Sequence, residues 1–195
     1  MKCGPVKMTT GGFTLVEMMV VCALIGILAM IALPDFANII KNERLTAQNN
    51  DLLSDIAFTR AEAMRSGKRV TICPLNNPPP AVLACGNDWS QGRMIFTDQD
   101  QNMDLDVGAT SIEKVLRVRS VLSGGNTLVW DGVLVGSGHP ALQFRGSGLP
   151  VGGLSTSVTG NSTFKLCDST RANVGRQVVV STFGPVNTSS QVSCP

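Results

Sequence analysis

At 195 residues, with 15% charged and 43% hydrophobic side chains, the chain suits one globular domain plus an appendage and is too apolar for a disordered tail. Its formal net charge is +2, and once Lys2 and Lys7 ahead of the first apolar run are set aside, 14 basic residues face 14 acidic ones, a poor composition for bulk nucleic-acid binding. The balance is uneven: residues 13–106 carry 7 basic and 11 acidic side chains and residues 107–195 carry 7 and 3, so the distal half is mildly basic.

The first element is an apolar run, Phe13–Leu33, of about 21 residues, long enough to cross a bilayer as a helix. One charge, Glu17, interrupts it. A secretory signal peptide would show an unbroken apolar stretch and an A-x-A-like cleavage site, and neither is present. An ordinary membrane anchor leaves Glu17 unexplained, because a charge at membrane depth is costly and marks function. The segment Gly11-Gly12-Phe13-Thr14-Leu15-Val16-Glu17 resembles the prepilin signature of type IV pilins and type II secretion pseudopilins. That resemblance implies cleavage between Gly12 and Phe13 by a prepilin peptidase on the cytoplasmic face and N-methylation of Phe13. Lys2 and Lys7 fit the positive-inside rule for that topology. After cleavage the chain begins with a cationic amine, and Glu17 lies one helical turn along, on the same face. Glu17 pairs either with its own N-terminus or with that of a neighbouring helix. The family resemblance implies the second, which fixes axial register between subunits. Gly26 and Pro34 loosen a helix, or Pro34 marks a boundary after the membrane segment.

Beyond Pro34, Asp35 is read as the cap of a second helical stretch. Leu45, Leu52, Leu53, Ile56, Ala57, Ala61 and Met64 follow helical spacing, with Asn49, Asn50, Asp51, Asp55 and Arg60 assigned to the surface and Gly67 to the stop. The pattern then changes to short strand-like runs between Gly, Pro, Asn and Ser: 69–73, 93–97, 114–122, 127–135, 141–145, 162–167 and 177–183. About seven strands predict an antiparallel sandwich or sheet. Pro78-Pro79-Pro80 reads as a stiff loop element.

The sheet region narrows the resemblance. Trp89-Ser90-Gln91-Gly92-Arg93-Met94-Ile95-Phe96-Thr97-Asp98 resembles the Trp-x-x-Gly…Phe-x-Asp stretch of GspH/FimT-type minor pilins and pseudopilins. Ala61–Gly67 resembles the helix end of that group, and Leu142–Gly148 and Leu166-Cys167-Asp168 are similar to it as well. The implied fold is α+β and type IV pilin-like, one long N-terminal helix packed on an antiparallel, sandwich-like β-rich head: a leader over 1–12, a transmembrane or filament-core helix over 13–34, an amphipathic extramembrane helix over 35–67 and the head over 68–195. The implied function is a minor pilin of a type IV pilus that helps initiate or cap the filament. The alternatives are a pseudopilin of type II secretion and a DNA-binding minor pilin in natural competence. Implied partners are other major and minor pilins or pseudopilins, the prepilin peptidase, the inner-membrane assembly platform and, before assembly, membrane lipid.

Cys3 lies in the leader and Cys22 in the apolar run, where a thiol behaves as a small apolar group. Cys73, Cys85, Cys167 and Cys194 remain, in a region expected to lie outside the cytoplasm, where disulfides persist. Four cysteines allow three connectivities, and the local pairs Cys73–Cys85 and Cys167–Cys194 are expected, each worth about 3 kcal/mol in the chain-entropy model. A metal site competes weakly, lacking C-x-x-C spacing and having only His139 to assist, and a redox role is weaker still.

Asp98–Asp106 imitates the early positions of a calcium loop, but Met103 stands where glycine is needed and Ala109 where the bidentate glutamate belongs, so a solvated acidic turn is expected. His139, before Pro140 in a Gly/Ser-rich loop, is read as a surface histidine. No catalytic residue, cofactor or metal is expected. Some relatives bind DNA through a C-terminal Gly-Arg-x-Arg motif. The aligned residues here, Gly184-Pro185-Val186-Asn187, lack both arginines, which leaves Arg145, Lys165, Arg171 and Arg176 as a candidate distal basic patch.

Overall fold

The computed structural model describes residues 12–76, 83–106, 108, 112–132, 138–152, 161–190 and 192–194, the side chains of 31–35 aside. The leader cysteine and lysines, the Pro78–Pro80 loop and Ala109 lie outside the described residues. The chain divides into two compact units, Met1–Ile40 and Lys41–Pro195.

One helix, α1, runs Leu15–Ser66. The helix passes Pro34 without a break, as the one long N-terminal helix of the implied fold requires, and Asp35 is not an N-cap, because a cap residue needs non-helical dihedrals. Proline removes one hydrogen bond, which a helix of 52 residues absorbs. The helix start is instead set by Thr14, whose Oγ1 accepts from the Glu17 N–H at 3.2 Å, as in a Thr-x-x-Glu capping box. Gly67, at φ +67°, supplies the left-handed residue that ends the helix.

Within the second unit α1 buries Leu45, Leu52, Ile56 and Ala63. The same face also buries Gln48, Asn49, Asp55 and Thr59, which corrects the assignment of Asn49 and Asp55 to the surface. Burial of Gln48 is possible because Asn126 Nδ2 donates to its Oε1 at 2.7 Å and its own Nε2 donates to the Ser123 carbonyl at 2.9 Å.

Among the described residues the head has nine strands: β1 Arg69–Pro74, β2 Arg93–Asp98, β3 Val115–Arg119, β4 Thr127–Trp130, β5 Leu142–Phe144, β6 Pro150–Gly152, β7 Ser162–Cys167, β8 Gly175–Val180 and β9 Val186–Ser190. They form two antiparallel sheets, ordered β3-β2-β1-β5-β6 and β4-β7-β8-β9. The architecture is α+β, as expected. Strands β6 and β9 escaped the sequence reading: β6 is three residues between Pro and Gly, and β9 is a polar edge strand with no alternating apolar face.

The sheets differ in burial for a physical reason. In β1 and β2 almost every residue is buried. One face meets the main core of α1, Val70, Ile72, Ile95, Leu142, Phe144, Phe164 and Val178. The other is covered by a second cluster built from Met94, Phe96, Met103, Leu105 and Leu75. Covering both faces erases alternation. Strands β7 and β8, covered on one face, keep it.

The Trp-x-x-Gly stretch now has a structural meaning. Asp88 caps a short 3-10 turn, Trp89–Gln91, accepting from the Ser90 N–H at 2.8 Å. Trp89 enters the core against Phe164 (4.9 Å, edge-on) and Trp130 (6.1 Å). Gly92 turns the chain into β2 at φ +114°, where a Cβ would collide with the Arg119 carbonyl oxygen. Gly92→Ala is therefore expected to destabilise the head by about 1–3 kcal/mol, read as a lower urea midpoint at unchanged slope.

Candidate functional site

The first unit is chemically simple. From Phe13 to Met30 every large apolar side chain is exposed, Phe13 at 80%, and Cys22 is an exposed thiol among them. A helix apolar all round requires a covering environment, either lipid or other helices. Among the described residues no helix is long and apolar enough to cross a membrane. The run Phe13–Leu33 extends into residues whose side chains are not described. Gly12, Phe13 and Glu17 sit at the helix entry, with Glu17 in the first turn, where an anion favours the helix dipole.

The second unit is organised around Asp55, which is 0% exposed. Arg93 grips it through Nε and Nη2 (2.8 and 2.7 Å), Arg117 through Nη1 at 2.7 Å, and Arg119 through Nε at 3.2 Å. Arg119 also reaches Asp51 at 3.7 Å, and Arg117 lies over the Phe58 ring at 4.1 Å. Burial pushes the Arg93 guanidinium below its ordinary value, opposed by Asp55. One helical acid thus clamps three arginines from β2 and β3 to α1. A signal for this was present and missed: Asp55 is three residues after Leu52 and four before Thr59, in the phase of the buried face.

The acidic turn is less solvated than expected. Asp98 is 1% exposed and accepts from Thr71 Oγ1 (3.0 Å), Gln143 Nε2, and the N–H groups of Gln101 (2.7 Å) and Met103 (2.9 Å). Asp98, Asp100 and Glu113 bring carboxylate oxygens within 4.8 Å of one another. The Asp98 oxygens already serve four donors, which suits a carboxylate that locks a turn better than an ion ligand. Asp106 is pushed above the usual carboxylate range, first by a hydrogen bond shared with Asp100, and burial pushes Glu113 up against the N–H groups of Asp106 and Gln99.

Cys73 is bonded to Cys85 and Cys167 to Cys194. The second bond anchors the chain end beside the turn after β7. In that turn Asp168 accepts from Thr170 N and Oγ1 (2.8 and 2.7 Å) and from Arg171 Nε (2.6 Å). Burial raises its pKa, but these donors outweigh burial and lower it to about 2. Against an unfolded value near 3.9, the depressed folded value contributes about 2 kcal/mol above pH 4, lost as pH falls from about 4 to about 2. Urea midpoints against pH should show this loss in the wild type and not in Asp168→Asn.

The four cations proposed as one basic patch are not brought together. Arg176 pairs with Leu166 across β7–β8, so both face the core side, and Arg176 Nη2 donates to Thr46 Oγ1 on α1 at 2.7 Å. Lys165, one residue earlier on β7, faces the other way. Arg145 follows β5 in the other sheet, beside Gly67 and Arg69. Only Arg171 and Arg176 line a common cleft. His139 is half-buried, with Nδ1 3.1 Å from Asn87 Oδ1 and Nε2 4.0 Å from Asp104, so it belongs to a polar loop contact.

An apolar, exposed N-terminal helix followed by a head of two antiparallel sheets is the plan of a pilin-like filament subunit. Residues 48–184 match the family described as type II transport protein GspH, and residues 7–33 match the prokaryotic N-terminal methylation motif. The chain belongs to the GspH family, which comprises type IV minor pilins and pseudopilins. It is similar to the type IV major fimbrial protein FimA of Dichelobacter nodosus, at 32% identity over 95 residues. That alignment covers 48% of this chain and 56% of that protein, so the chain spans little more than half the length of this relative. Its fold is similar to that of the Pseudomonas aeruginosa type IV minor pilin FimU, with a TM-score of 0.53 at 19% identity, covering 79% of this chain and 94% of that one.

Proposed function

We propose that the chain is a minor pilin of a type IV pilus, cut between Gly12 and Phe13 by a prepilin peptidase and N-methylated on Phe13. It is held in the inner membrane by one helix with its head in the periplasm, and is then moved by an assembly platform into the filament, where it helps initiate or cap growth. The observation that carries this reading is the apolar stretch from Phe13 to Met30, bare of any cover in the single chain and lying within the matched methylation motif. Other pilins or pseudopilins supply that cover. Glu17 sets the register by pairing with a neighbour's amine. Chemistry is done to this chain rather than by it.

A second reading, a pseudopilin of type II secretion, is favoured by the description of the family itself. It keeps the processing and the bundling and changes the machine. The competence reading has little geometry in its favour: its four cations do not share one face, and Gly184 sits in the turn before β9, its carbonyl accepting from Arg60 Nη1 at 2.8 Å. In a host lacking prepilin peptidase, the chain should keep its leader and stay in the membrane fraction; with the enzyme it should appear among sheared filaments. Filament entry without the enzyme would overturn the reading.

A further inference from the structure

A cleft of about 320 Å³ opens where the end of α1 meets β1, the end of β2 and the turn after β5. Three cations, Lys68, Arg69 and Arg145, line it. Gly67 and Gly146 meet there backbone to backbone: a Cβ on Gly146 would stand 2.8 Å from the Gly67 carbonyl oxygen. Arg69 is preset by a buried network. Gln143, 0% exposed, gives its Nε2 hydrogens to Thr71 Oγ1 at 3.1 Å and to Asp98 Oδ2, which leaves its Oε1 to accept from Arg69 Nη1 at 2.8 Å. The other Arg69 donors, Nε and Nη2, have no acceptor among the described residues and stay open to solvent. Lys68 and Arg145 are exposed, and neither side chain makes a hydrogen bond or ion pair among the described residues. The one acid lining the cleft among them, Asp98, already serves four donors; Asp100 and Glu113 bring oxygens within 4.8 Å of it without lining the cleft. The carbonyl end of α1 favours a cation beside it, which accounts for Lys68. It gives no reason for Arg145, which arrives from β5 unpaired, nor for the buried amide that orients Arg69.

We propose that this cleft binds a terminal phosphoryl group, that of a free phosphate or of a phosphomonoester headgroup. The inference does not depend on the chain entering a filament. A terminal phosphoryl carries three strong acceptor oxygens and nearly two negative charges, so each of the three cations finds an oxygen of its own. A carboxylate offers two oxygens and one charge, which a single guanidinium fork meets. A phosphodiester, with two free oxygens and one charge, is also the poorer match. The volume holds the phosphoryl group with a short organic part attached.

The test is thermal melting of the full chain in detergent, titrated with inorganic phosphate and, separately, with dihexanoyl phosphatidic acid. At least one should raise the melting temperature saturably, while sodium acetate at equal ionic strength should not. Tighter binding of the phosphatidic acid assigns the site to a lipid headgroup, and tighter binding of phosphate to the free ion. Arg69→Gln and Arg145→Glu should each weaken the apparent affinity at least about tenfold. Arg145 is exposed and unpaired, so Arg145→Glu should melt like the wild type without ligand, which separates lost binding from lost folding. An equal rise with acetate, or unchanged affinity in Arg145→Glu, would overturn the proposal. No response to either phosphate probe would overturn it too, whether or not a DNA duplex binds, and would leave these cations as partners of the helix end.

Discussion

Replacing Asp55 with alanine is expected to lower the unfolding free energy by about 3–5 kcal/mol. The carboxylate is fully buried, and Arg93, whose side chain is 3% exposed, has it as its anionic partner. Removing the acid leaves a buried guanidinium without compensation and sets three cations, Arg93, Arg117 and Arg119, beside one another. Asp55→Asn should fall between the wild type and alanine, because the amide keeps one acceptor and lacks the charge. The control is Asp55→Leu with Arg93→Met: a buried ion pair exchanged for packed apolar groups is often neutral, so the double variant should recover part of the loss. Urea unfolding of the detergent-solubilised chain measures all three. A loss under 1 kcal/mol for Asp55→Ala would mean that the clamp is ornamental.

Glu17→Ala is expected to leave leader removal intact and to reduce filament incorporation by at least about tenfold, scored as the ratio of filament to membrane fraction. The local role of Glu17 is small. Its backbone N–H, not its side chain, donates to Thr14 Oγ1, and that contact survives the substitution. An acid in the first turn of a helix is worth about 0.3–1 kcal/mol. Inside a bundle of apolar helices the arithmetic is different. The neighbour's terminal amine would be buried without its counter-charge, at about 3–5 kcal/mol. A modest stability change with normal incorporation would leave Glu17 as a helix-capping residue only.

The parts of this protein that were legible in its sequence are those set by local rules. The end of α1 is marked by a glycine that must take a positive φ, and β1, β2 and β7 by β-branched and aromatic runs that need burial. What escaped was decided by partners distant in sequence. Asp55 looked like a solvated helix residue because the arginines that neutralise it lie 38 to 64 residues on. Asp98 looked like an exposed acid because Gln143 and Thr71, on neighbouring strands, come into view only when β1, β2 and β5 pair. The basic set dissolved for a related reason. A strand sends adjacent residues to opposite faces, so Lys165 and the partner of Arg176 cannot share a surface however close they stand in the chain. Strand β9 carries no apolar pattern because it is an edge, held by its backbone to β8.

The proposed processing site is a different case: a peptidase reads a short linear segment, so Gly12, Phe13 and Glu17 need no fold to bring them together. Mass spectrometry of the chain recovered from sheared filaments tests that central claim most directly. The account predicts a polypeptide beginning at Phe13, methylated on its α-amine; a chain beginning at Met1, or at any residue other than Phe13, would contradict it.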